Sequence, residues 1–265
     1  MTSAGTVADW EPGDTRPDLS RRRGRARRRR GRRVAAWLAV VGLALFAAAA
    51  GAYVVTPSVS GAWALVRSQD AADHVSGISG AVPARFADAL VATEDHRFYS
   101  EPGIDPVALA RVIAGAVSGR VDQGGSTLSV QLAKMLYTPG NDSVQAKAEQ
   151  AMLAVKLNMG YSKSDILRMY ADVVYFGGGY YGLNAASCGY FGIQPGALSW
   201  GQAAVLAGLV QAPSAYDPRL HPAQARAREQ HVLDRIVATG QISSRQAKAA
   251  LAAPLHLDAP GSSCR

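Results

Sequence analysis

The stretch 91–105, VATEDHRFYSEPGID, sets two adjacent carboxylates, Glu94 and Asp95, where an apolar helical run gives way to a turn holding Pro102 and Gly103. A carboxylate at the rim of a cleft can serve as a general acid or base. The same pair on a solvated helix end has no chemistry to do. Phe98 and Asp105 follow within the block.

A second stretch, GGSTLSVQLAKMLY over 124–137, carries chemistry of another kind. Gly124 and Gly125 admit backbone angles that other residues avoid, and Ser126 or Thr127 can cap the helix that follows. Thr127, Gln131 and Lys134 fall at i, i+4 and i+7 and share one face. Leu128, Leu132, Met135 and Leu136 form the apolar face. A glycine turn leading into a helix start offers free N–H groups and a positive dipole end, a natural place for phosphate. Lys134 could add a point charge. The Gly-Lys-Ser/Thr of a P-loop is missing. Further on, Lys147, Glu149, Gln150 and Lys156 lie on one helical run. They are either surface groups or further cations and a carboxylate facing the cleft of Glu94.

These residues need helices to hold them. Pro83 suits a first helical turn, and Phe86, Ala89, Leu90 and Thr93 give one face. Pro106 opens another helix, with Leu109, Val112, Ile113 and Ala116 on one side. The spacing predicts helices over 127–137, 145–159, 163–175, 198–210, 222–237 and 243–251, with Ser162 or Ser164 as a cap. GGGYYG at 177–182 reads as a loop, and no run of alternating strands is visible. The fold class is mainly α.

The formal charge of +8 over 265 residues misdescribes the folded part. Eleven arginines against four carboxylates put residues 1–33 at +7, which leaves about +1 for the rest. An Arg-rich block can mark a nucleic-acid patch. Here the uncharged run 34–55, VAAWLAVVGLALFAAAAGAYVV, follows directly. It is long enough to span a bilayer, and flanking Arg keeps that side cytoplasmic. The run exceeds a signal-peptide core, so an uncleaved anchor is expected and nucleic acid is not. The organisation read from sequence is a basic cytoplasmic tail at 1–33, an anchor at 34–55 and a connector at 56–80. An extracytoplasmic catalytic domain follows at 81–255, with a flexible tail at 256–265. Cys188 and Cys264 are too few for a disulfide scaffold but could pair in an oxidising compartment. A metal site would need more ligands, and neither Cys has the adjacent His of a catalytic thiol.

Five blocks in order resemble the peptidoglycan glycosyltransferases, family 51, bacterial enzymes that polymerise a lipid-linked disaccharide-peptide. They are ATEDHRFYSEPGID, GGSTLSVQLAK, KAEQAMLAVKL, YSKSDILRMYADVVYFG and AVLAGLVQAPSAYDP, over roughly residues 80–220. The resemblance implies a lysozyme-like, two-lobed helical fold with one lobe touching the membrane. It implies lipid II and a growing glycan chain as partners, beside the cytoplasmic membrane and other cell-wall synthases. It makes Glu94 the general base that deprotonates the acceptor sugar, with inversion and loss of undecaprenyl diphosphate. Glu149, or Gln150, falls at the second carboxylate position. Asp95, Phe98, Asp105, Gly125, Ser126, Thr127, Gln131, Lys134 and Lys147 become substrate-binding candidates. No cofactor is required, though Mg2+ or Mn2+ could assist at the diphosphate.

The chain departs from the family pattern at several places. Glu101 stands where His is usual, Val130 where Gln is usual, Asp142 where Arg is usual and Asp172 where Asn is usual. The second glutamate falls on Gln150, with Glu149 one residue earlier. One residue turns a helix by about 100°. Two alternatives stay open. One is a glycan-cleaving, lysozyme-like or lytic enzyme; the other is a weakly active scaffold that binds precursor. Nothing after residue 220 resembles a transpeptidase, so a monofunctional enzyme is expected.

Overall fold

The computed structural model describes residues 19–105, 126–259 and Cys264, without the side chains of 19–33, 45, 48 and 49. The helix expected to open at Pro106, the Gly124–Gly125 turn and residues 1–18 lie outside the described residues. Met1–Val54 and Val55–Arg265 are two separate compact units. The first holds α1 (Leu19–Val55), whose described side chains include Trp37 and Phe46, both strongly exposed. Among the described residues no helix is long and apolar enough to cross a membrane. Three side chains of the 34–55 run are outside that set.

The second unit is helical among its described residues. Its elements are α2 (Ala62–Ala72), α3 (Ala84–Glu94), α4 (Leu128–Tyr137), α5 (Val144–Gly160), α6 (Lys163–Val173) and α7 (Gly182–Phe191). After a 3-10 turn at Pro195–Ala197 come α8 (Trp200–Leu209), α9 (Pro222–Ala238) and α10 (Ser244–Ala252). Side-chain caps fix most of the starts. Thr127 accepts from the Val130 N–H, and Ser143 accepts from that of Ala146. Ser162–Asp165, Ser199–Gln202 and Ser243–Gln246 are reciprocal capping boxes, each satisfying two orphan donors.

α8 is buried from Gly201 through Leu209, on every face. A helix apolar all round belongs at the centre, and α3, α9 and α10 pack about it. A second group sets α4 against α5, and α6 against α2 and α4. Leu90 of α3, Leu132 of α4 and Tyr170 of α6 are fully buried in one shared core. The C-terminal end of α3 therefore meets both groups, and Glu94 is its last residue.

The segment 56–80 is part of this body. Val59, Ala62, Val66 and Ile78 are buried in the core. Lys156 Nζ donates to the carbonyls of Thr56 and Pro57, and the Tyr161 hydroxyl donates to those of Val59 and Ser60. Residues 255–258 are likewise held. The Gln202 amide donates to Leu255 O at 3.0 Å, the Asp258 N–H to Tyr190 O at 2.8 Å, and Cys264 is bonded to Cys188.

Candidate active site

Glu94 is nearly buried, its side chain 14% exposed, and both of its oxygens have donors. The Arg228 Nη2 of α9 reaches Oε1 at 3.2 Å, and the Gln131 Nε2 of α4 reaches Oε2 at 3.4 Å. Gln131 is itself aimed, because the buried Tyr170 hydroxyl donates to its Oε1 at 2.8 Å. Arg228 is held by Gly208 O at 3.3 Å and lies over the Tyr216 ring at 5.6 Å. A Cβ on residue 208 would stand 2.7 Å from Arg228 Cγ, so only glycine leaves this path open.

Burial pushes the Glu94 pKa up, while Arg228 and then Gln131 pull it down, and Asp95 adds a smaller push upward. Two donors on two oxygens favour the ionised form. A carboxylate whose pKa is lifted above its ordinary range is a stronger base than a solvated one and is suited to accept a proton.

Asp95 does not face the same way. Its Oδ2 accepts the Leu128 N–H at 3.0 Å, tying the first block to the start of α4. Thr127 Oγ1 adds a second tie by donating to Gly103 O at 2.7 Å. Gly103 takes φ +101°, and a Cβ there would lie 2.5 Å from Ala154 O, so the turn packs flush on α5 only with glycine. Asp105 is paired with Arg97. Phe98 is fully buried beneath Lys163, whose Nζ lies 4.6 Å from the ring centroid. Phe98 therefore shapes the turn by packing.

The phosphate cradle expected at the α4 start is partly spent. The Leu128 N–H goes to Asp95, and the Val130 N–H goes to Thr127 Oγ1. Ser126 is exposed, and Gly125 lies outside the described residues. Lys134 Nζ contacts Asp142 Oδ1 at 2.5 Å, both well exposed. Asp142 is held below the usual carboxylate range mainly by Lys134, with Lys147 contributing. Two lysines therefore converge on one anionic group just past the end of α4.

The second carboxylate is not built as expected. Gln150 is buried and donates to Thr138 Oγ1 at 2.8 Å and Asn141 O at 3.2 Å. It clasps the α4–α5 turn, and an amide does so where a carboxylate would lack protons. Glu149 is half-buried, with no ion pair among the described residues. The residue that sequence reading missed is Arg228, 134 positions from Glu94. Only its place one turn before the apolar Val232 and Leu233 hinted that it faces inward.

With this geometry in place, known proteins can be compared. A family model described as transglycosylase matches residues 65–237. A penicillin-binding protein 1A of Aquifex aeolicus is 40% identical over 175 residues, covering 66% of this chain and 24% of that protein. A protein of Cupriavidus necator named as a transglycosylase is 35% identical over 222 residues, 83% of this chain and 94% of its own length. This chain spans about a quarter of the Aquifex relative. A crystal structure of penicillin-binding protein 1A from Haemophilus influenzae aligns at a TM-score of 0.39 with 21% identity, over 69% of this chain and 18% of that one. That likeness is too slight to bear on the fold.

Proposed function

This chain belongs to the transglycosylase family and is a glycosyltransferase, and from that premise we propose that it lengthens glycan strands from lipid II at the outer face of the cytoplasmic membrane. Glu94 takes the proton from the acceptor sugar's hydroxyl as that oxygen attacks the donor's anomeric carbon. The carbon inverts, and undecaprenyl diphosphate leaves. Lys134 and Lys147 meet the charge growing on the diphosphate. Asp95 holds the block to α4, and Gln131 and Arg228 orient the base. The two-lobed, lysozyme-like arrangement belongs to this reading, as does an anchor over 34–55. Tyr175 and Tyr181, paired at 4.7 Å between ring centroids and part-exposed, suit a surface near lipid headgroups.

The observation that carries the reading is the double donation to Glu94 from Gln131 and Arg228. A glycan-cleaving enzyme would need that carboxyl as a proton donor, and a donor needs an acceptor, not two N–H groups. The Cys188–Cys264 bond supports an oxidising, extracytoplasmic setting for the domain. Among the described residues no group of three or more His, Cys, Asp or Glu is placed to hold a metal ion. No step here runs through Mg2+ or Mn2+.

Polymerisation of fluorescent lipid II, resolved on a gel, tests the proposal. Glu94→Gln should lower the rate by about 10²–10⁴, and Glu149→Gln should leave it within about threefold. Glu94→Gln at wild-type rate would favour the scaffold. Release of short fragments from purified glycan would favour the cleaving enzyme.

A further inference from the structure

Glu101 is a buried acid, 6% exposed, on the turn that follows the base. Among the described residues neither of its carboxyl oxygens meets a donor, and the group within hydrogen-bonding reach is the Asp95 carboxyl. Among the described residues the groups that face it are two more acids, Asp95 and Asp105 from the same turn, and one ammonium, Lys163 from the first residue of α6. Arg97 does not relieve the site, since it is paired with Asp105. Among the described residues Lys163 Nζ is also without a hydrogen-bond partner, and it sits over the Phe98 ring. An ionised Glu101 would place a third negative charge in a desolvated turn with no donor of its own. One proton removes that conflict, because two carboxyl groups can then meet through a single O–H···O bond. Asp95 is the fitting acceptor, since the Leu128 N–H already holds its Oδ2 as an anion.

We propose that Glu101, standing where the family carries His, is a positioning residue that keeps its proton in the working enzyme and shares it with Asp95. The shared proton closes the turn. It leaves one negative charge beside Glu94 in place of two, and it keeps Asp95 on the α4 start, one turn before Gln131. Burial first, and Asp95 second, lift the Glu101 pKa to about 8. Loss of the proton above that value sets two carboxylates against each other and loosens the Asp95–Leu128 tie, and with it the aim of Gln131 at Glu94. This inference rests on the glycosyl-transfer reading for its effect on rate, but not for the proton itself.

The test uses the full chain in detergent. Infrared spectra at pH 7 should show a buried protonated carboxyl band that Glu101→Gln removes and that titrates with a midpoint about 8. Wild-type polymerisation should fall about tenfold from pH 9 to pH 10, following the protonated fraction. Glu101→Gln, which keeps a neutral donor toward Asp95, should polymerise at pH 10 as it does at pH 7. Glu101→Ala should be slow throughout. A purely structural role for Glu101 would leave the alkaline fall in Glu101→Gln, and that result overturns the proposal. So does a pH 7 spectrum that Glu101→Gln leaves unchanged. If no variant polymerises at any pH, the glycosyl-transfer reading fails, while the band still decides where the proton sits.

Discussion

Arg228 and Asp142 show how single side chains tune this site from opposite sides. Arg228 is the largest influence opposing the burial that lifts the Glu94 pKa. Replacing it with Met keeps the packing over Tyr216 but removes the charge. The Glu94 pKa should then rise, and the acid limb of the polymerisation pH profile should move toward alkaline pH. A fall in rate with no shift of that limb would make Arg228 a packing residue only. Asp142 occupies the Lys134 ammonium, which in the proposed mechanism meets the leaving diphosphate. The pair is exposed, so its hold is weak. Asp142→Asn should lower KM for lipid II by about two- to fivefold with kcat little changed. A raised KM would mean that Asp142 positions Lys134 productively.

At the scale of elements, α2 and α6 meet through another pair of acids. Asp172 Oδ1 accepts the Ile78 N–H at 2.7 Å. A Cβ on Gly77 would stand 3.1 Å from both Asp172 Oδ2 and Asp70 Oδ2, so the two carboxyls crowd one glycine. Burial, and then the competing charges, leave Asp172 at about 6 against an ordinary 3.8. The folded state therefore holds this proton more tightly than the unfolded chain. Its stabilising effect is complete below about 3.8 and is lost as pH rises through 6. Asp172→Asn, the usual family residue, should remove that slope and add roughly 1–2 kcal/mol at pH 7.5. Unfolding midpoints at pH 4.5 and 7.5 check this, and equal slopes in both proteins would refute it. Much of the element structure was legible in advance. The α4 and α6 starts were legible to within two candidate caps each, of which the fold uses Thr127 and Ser162, and the helix over 198–210 was legible too, though not its place at the centre. α7 was not legible, because GLNAASCGYF has two glycines and no polar stripe. Its helix is fixed by burial on several sides, which periodicity cannot register. The site divides along the same line. Glu94 and Gln131 were readable because local motifs carry them. Arg228 and the duty of Gln150 were not, because tertiary contacts assign them.

For the whole second unit, the C-terminal segment matters more than its polar, Gly-containing sequence implied. It crosses α7 and α8 and ends in the bond from Cys264 to Cys188, which closes a loop of 76 residues. Arg219 ties this segment to the interior. Its Nη2 donates to Asp258 O at 2.9 Å and to Gly189 O, and its guanidinium lies 4.8 Å over the Tyr190 ring. The Tyr190 hydroxyl donates in turn to Phe176 O at 3.1 Å, beside the glycine loop. Closing a loop of this length restricts the unfolded chain, so Cys188→Ser should lower unfolding stability by about 2–4 kcal/mol. Reduction of the wild type should do the same, and the variant should then be insensitive to reductant. The released segment should also become a site of proteolysis near residues 253–259. Glu94 and its donors lie on α3, α4 and α9, none of which carries either cysteine, so the polymerisation rate per folded molecule should hold. Unchanged stability on reduction would show that the hydrogen bonds with Gln202, Arg219 and Tyr190 secure the segment without the disulfide; a lost rate in a folded, reduced protein would show that the segment reaches the site.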